Sequence, residues 1–82
     1  MLVRLRLLLG NLRVLSGKQL CAVHEAHGFV QVRQKDSHIV MQLITADGSI
    51  AMPFPDHREI RVGTLMSIIR QSGISKSVFE TK

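Results

Sequence analysis

Tryptophan and tyrosine are absent from this chain of 82 residues, and phenylalanine occurs three times, as Phe29, Phe54 and Phe79. Aliphatic side chains must therefore fill the core. Cysteine occurs once, as Cys21, which excludes an internal disulfide and fits a reducing cytoplasm. The thiol falls among helical positions, where a buried structural role is expected; His24 at i+3 is the one neighbour that could activate it. Long apolar runs are missing too. The leucine-rich stretch around Leu7-Leu8-Leu9 is interrupted by Arg4, Arg6 and Arg13 and is too short to span a bilayer. No small-residue cleavage site follows it, which argues against a signal peptide. Acidic residues number 6 against 11 Lys and Arg, a formal charge of +5. That balance favours nucleic acid, an acidic protein or an anionic surface as partner. The bases are scattered, so contact with a short stretch of backbone fits better than tight duplex DNA binding.

What is present suffices for one small domain. A chain this short buries only about 60% of its unfolded surface, so a partner covering one face would stabilise it. Residues 1–15 read as an N-terminal extension. Met1 to Leu7 alternates and Gly10-Asn11 is a hairpin signal, predicting an extra edge strand or hairpin, with a loose extension or a membrane-surface segment as alternatives. An edge strand there would support a homodimer. Residues 16–82 form the domain proper. Ser16-Gly17-Lys18-Gln19 fits a capping box, and Gly28 offers a left-handed stop, giving a helix over 17–27 with Leu20, Val23 and His27 on its apolar face.

Three strands are expected next, over 29–34, 38–44 and 49–54, with a polar bend at Lys35-Asp36-Ser37 and an Asp47-Gly48 turn. Alternation puts Val30, Val32, Ile39, Met41, Leu43, Ile50, Met52 and Phe54 on an apolar face. Gln31, Arg33, His38, Gln42 and Ser49 then form a polar, positive outer face. Asp56 to Arg61 reads as a charged loop. A second helix runs from 63 or 64 to 72, with Leu65, Ile68 and Ile69 inward and Gly73 as its stop. Ser75 or Ser77 caps a short last turn holding Val78 and Phe79. The order is helix, three antiparallel strands, helix: an α+β two-layer domain.

His38 is the residue that carries chemistry. It opens an alternating strand at the mouth of a hairpin, and imidazole both takes and gives a proton near neutrality. With a basic chain, that points to phosphodiester chemistry; an exposed strand-end histidine with no role is the plain alternative. Arg33 and Lys35 flank the same hairpin and are the candidates for phosphate contacts, with Ser37 of the bend beside them. Ser37 and His38 are not a nucleophile–base pair, because strand neighbours point to opposite faces. His24 and His27 are three apart, without a third ligand, so a metal site is not expected. Ser16-Gly17-Lys18 lacks the upstream glycine of a phosphate-binding loop.

The stretch from Ser16-Gly17-Lys18 through Gly28-Phe29-Val30-Gln31-Val32-Arg33-Gln34-Lys35-Asp36-Ser37-His38, on to Pro53 and Gly63-Thr64-Leu65-Met66-Ser67-Ile68-Ile69-Arg70-Gln71-Ser72-Gly73-Ile74-Ser75, resembles the HicA family. These are toxins of type II toxin–antitoxin pairs. The resemblance implies a fold like the double-stranded-RNA-binding domain and a metal-independent endoribonuclease acting on mRNA, with no cofactor. It also implies that His38 is catalytic, as the histidine of a Gly-Ser-His motif, and that a HicB-like antitoxin covers the active face. The chain departs from the family in two places. Asp36 replaces the motif's glycine, a residue type that tolerates the left-handed turn but adds negative charge. The histidine many members carry two residues after the third-strand proline is Pro55 here, with His57 two positions on. A non-catalytic RNA-binding module on the same scaffold is the alternative function.

Overall fold

The computed structural model describes residues 11–81, so the strand or hairpin expected before Asn11 lies outside the described residues. Helix α1 spans Gly17–Ala26, strands β1, β2 and β3 span Val30–Lys35, His38–Thr45 and Gly48–Pro55, helix α2 spans Val62–Ser72, and a 3-10 turn covers Lys76–Phe79. This is the α-β-β-β-α order of the double-stranded-RNA-binding-domain-like fold. No helix among the described residues is long and apolar enough to cross a membrane.

The local reasons are visible in the caps. Ser16 Oγ accepts from the Gln19 amide at 3.1 Å, and Gln19 Oε1 accepts from the Ser16 amide at 2.9 Å. Together they satisfy two donors that the first turn of α1 leaves free. Gly28, at φ 93°, turns the chain so that the Phe29 amide reaches back to the His24 carbonyl. Gly73 ends α2 in the left-handed region, at φ 73°.

The strands form one antiparallel sheet in the order β1-β2-β3. Ile39 pairs with Phe54, Met41 with Met52 and Leu43 with Ile50, so these six side chains share one face. Leu20 and Cys21 of α1 and Leu65, Ile68 and Ile69 of α2 close over that face, joined by Leu15, Ile60 and Phe79. Leu12 packs against the same cluster, and the Arg13 amide donates to the Phe79 carbonyl at 2.8 Å.

Strand β1 corrects the expected alternation. A bulge between Gln31 and Arg33 inserts one residue, which reverses the parity upstream of it. Val30 consequently pairs with Gln42 on the outer face, and both Val30 and Val32 are about half exposed rather than in the core. Gln31 stands opposite buried Met41 instead of joining the outer face. On α1, too, the buried stripe is Gly17, Leu20, Cys21 and His24, while His27 is exposed.

His24 is 0% exposed and packed among all three phenylalanines, with ring centroids 5.0 Å from Phe29, 4.6 Å from Phe54 and 5.7 Å from Phe79. Its Nδ1 donates to the Leu20 carbonyl at 2.8 Å, and its Nε2 has no partner. Desolvation by burial lowers its pKa below the ordinary value; the bond to the Leu20 carbonyl opposes this and His27 adds to it. In the unfolded chain the ring takes a proton as pH falls through about 6.5. The folded state takes it only at lower pH. Stability present above that point is therefore lost as pH falls through the interval between the two values, by up to about 1.4 kcal/mol per pH unit. The melting temperature should fall between pH 7 and 5, and His24→Leu should flatten the decline. An unchanged slope in that variant would show that another group is responsible.

Candidate functional site

The β1–β2 hairpin builds the site. Lys35 and His38 are its closing pair, with Asp36 and Ser37 between them. Asp36 takes the left-handed conformation, at φ 54°, so aspartate serves where glycine would be the easier residue. The bend is tied down from outside: the Asp56 amide donates to the Ser37 carbonyl at 2.7 Å, and Gln34 Nε2 donates to Asp56 Oδ2 at 3.3 Å. The segment leaving β3 thus anchors the hairpin that presents His38.

The register brings the expected side chains to one face. Arg33 pairs with Val40 and Lys35 with His38, and Val40 and His38 are both outward positions of β2. The bulge lies upstream of Arg33, so it leaves this end in phase. All three side chains are exposed. No described carboxylate comes within 4.0 Å of the charged atoms of Arg33 or Lys35, the ion pair among the described residues being Lys76–Glu80. Two cations beside an imidazole can hold a phosphate while a proton moves. Ser37 stands next to them in the chain, its carbonyl engaged by Asp56.

The outer face is not uniformly polar and positive. Val30 is 55% exposed and Ile44 78%, and Val40, Ala51 and Pro53 share their side of the sheet. Charge is gathered at the bend, with apolar surface behind it. The bulge explains Val30; Val40 and Ile44 are simply the even-numbered members of a strand apolar on both faces.

Other candidates are set aside by their surroundings. Cys21 is 5% exposed, and its thiol is pushed up to about 11 by burial, then by Glu25 and Asp56, so it is a packing residue. His24 and His27 turn their Nδ1 atoms onto the carbonyls of Leu20 and Val23 in their own helix. A groove of about 370 Å³ between β3 and α2, lined by Pro53, Thr64, Ser67 and Gln71 among others, contains no titratable side chain and so offers neither acid nor base.

Asp56 and His57 open the charged loop expected over Asp56 to Arg61. The structure clamps them between the bend and α1. The Gly17 amide donates to the His57 carbonyl at 2.8 Å, and a Cβ on Gly17 would lie 2.1 Å from the Pro55 carbonyl oxygen. Glycine at the first position of a helix was the available signal.

Residues 17–74 match the family model described as the HicA toxin of bacterial toxin–antitoxin systems. No curated protein and no solved structure gives a significant match.

Proposed function

Since the chain belongs to the HicA toxin family of bacterial toxin–antitoxin systems, we propose that it is an mRNA-cleaving endoribonuclease in which His38 is the catalytic residue. The observation that carries this reading is the exposed His38 opposite Lys35, with Arg33 on the same face of the sheet. RNA brings its own nucleophile. An imidazole that removes the 2′-hydroxyl proton drives that oxygen onto the adjacent phosphorus, and cations offset the charge that develops there. Arg33 and Lys35 hold the phosphate, and the Ser37 backbone keeps the bend in place. The scheme uses no metal. Arrest of growth follows from loss of mRNA, in the cytoplasm where translation occurs.

An antitoxin of the HicB type is the partner this reading implies. It would cover the hairpin and the apolar surface of Val30, Val40 and Ile44, blocking RNA from His38. Asp36 supports the second reading, an RNA-binding module without activity, because it adds negative charge to the bend that Lys35 and His38 close. Incubating the purified protein with mRNA separates the two. Cleavage is the expected result; binding without products would favour the module.

A further inference from the structure

We propose that the groove between β3 and α2 seats one base of the RNA that passes His38, with Ser67 and Gln71 hydrogen-bonding its edge. This rests on the reading that RNA lies on the face carrying His38, and it places a part of the substrate that Arg33 and Lys35 do not hold. The groove has a volume of about 370 Å³, in the range of sites that take small organic molecules. Met52, Pro53 and Ile68 give it apolar surface, and Thr64, Ser67 and Gln71 give it hydroxyls and an amide. The last three stand three and four positions apart, so they share one face of α2. Gln71 Nε2 donates to Ser67 Oγ at 2.9 Å. That bond leaves Gln71 Oε1 as an acceptor and the Ser67 hydroxyl hydrogen as a donor, held side by side. The edge of a nucleobase presents the same pair, a donor next to an acceptor, on a flat ring that suits apolar walls. A phosphate calls for cations, and no charged side chain lines the groove.

Position ties the groove to His38. Among the described residues β3 is an edge strand, and its neighbours Met52 and Pro53 project to opposite faces. A groove that touches both therefore lies along the edge of the sheet. Pro53 is on the side that carries His38, and Pro55, two residues further along β3, pairs with His38 itself. Two residues of strand span about 7 Å and one strand spacing about 5 Å. One or two linked nucleotides cover that separation. A peptide strand added at this edge would find no donor at Pro53 or Pro55, since proline has no amide hydrogen. Single-stranded RNA has no such requirement: its unstacked bases are splayed out and hydrogen-bonded on their edges.

The test uses a short single-stranded RNA and a set of copies in which one base at a time is removed to leave an abasic sugar. Affinity and cleavage are measured for the unaltered protein and for Gln71→Ala. Gln71 is exposed, so the variant should melt within a few degrees of the unaltered protein. It should bind the intact RNA about five- to tenfold more weakly. One abasic position should weaken binding to the unaltered protein about tenfold or more. At that position the two changes should not add: Gln71→Ala and the unaltered protein should bind the abasic RNA alike. Full affinity of Gln71→Ala for the intact RNA, or a loss that persists on every abasic copy, would overturn the assignment and leave the role of His38 standing. Binding without cleavage by the unaltered protein would overturn the ribonuclease reading, while the affinities still decide the groove. An unaltered protein that binds none of these RNAs would overturn both.

Discussion

His38→Ala should slow RNA cleavage by about 10²–10⁴-fold, the span that a positioned acid or base contributes, while the melting temperature and RNA affinity stay close to those of the unaltered protein. His38 is exposed and lies outside the buried cluster, so its removal leaves no cavity. Exposed substitutions of that kind stay within about 0.5 kcal/mol. In the proposed scheme the affinity comes from Arg33 and Lys35, which the variant retains on the same face. The separation of rate from stability and binding is what marks a chemical role. Equal losses of cleavage and binding would make His38 a contact residue, and unchanged cleavage would remove it from the site.

Gly17→Ala should lower stability by about 1–3 kcal/mol, the usual cost of forcing a methyl group into occupied space. Melting should then fall by several degrees or more, at about 4–8 °C per kcal/mol for a domain of this size. Gly17 is not at positive φ, so alanine suits its backbone and the effect is steric. The added Cβ meets main-chain atoms: the Pro55 oxygen at 2.1 Å, the Asp56 Cα at 2.9 Å and the Pro55 carbonyl carbon at 3.1 Å. Backbone must move, and what moves is the segment bonded to the Ser37 carbonyl. Cleavage should fall as well, although Gly17 is not proposed to touch RNA. Thermal melting and a cleavage assay check both effects. An alanine variant with an unchanged melting temperature would mean that residues 55–57 are not clamped as described.

The order of elements was legible because each left a local mark. The capping box at Ser16, the glycine stops at Gly28 and Gly73 and the Asp47-Gly48 turn depend on short-range geometry. The inward faces of β2 and β3 followed from alternation alone, since their pairing has no register shift from His38 to Pro55. Alternation failed in β1 because a bulge is a property of two strands and leaves no trace in the composition of one. The end holding Arg33, Lys35 and His38 survived because the irregularity falls on the other side of Arg33. His24 was missed as a core residue because its burial depends on three phenylalanines from separate parts of the chain. The contact of residues 55–57 with Gly17 was equally out of reach, being a close approach between segments about forty positions apart in the chain.

Proton transfer at His38, driving attack by the RNA's own 2′-oxygen, is the central step of the proposed reaction. The direct test is to incubate the purified protein with a defined RNA in excess EDTA and identify the new ends. Fragments ending in 2′,3′-cyclic phosphate and beginning with 5′-hydroxyl are the predicted result. Intact RNA under those conditions, or fragments carrying 5′-phosphate, would contradict it.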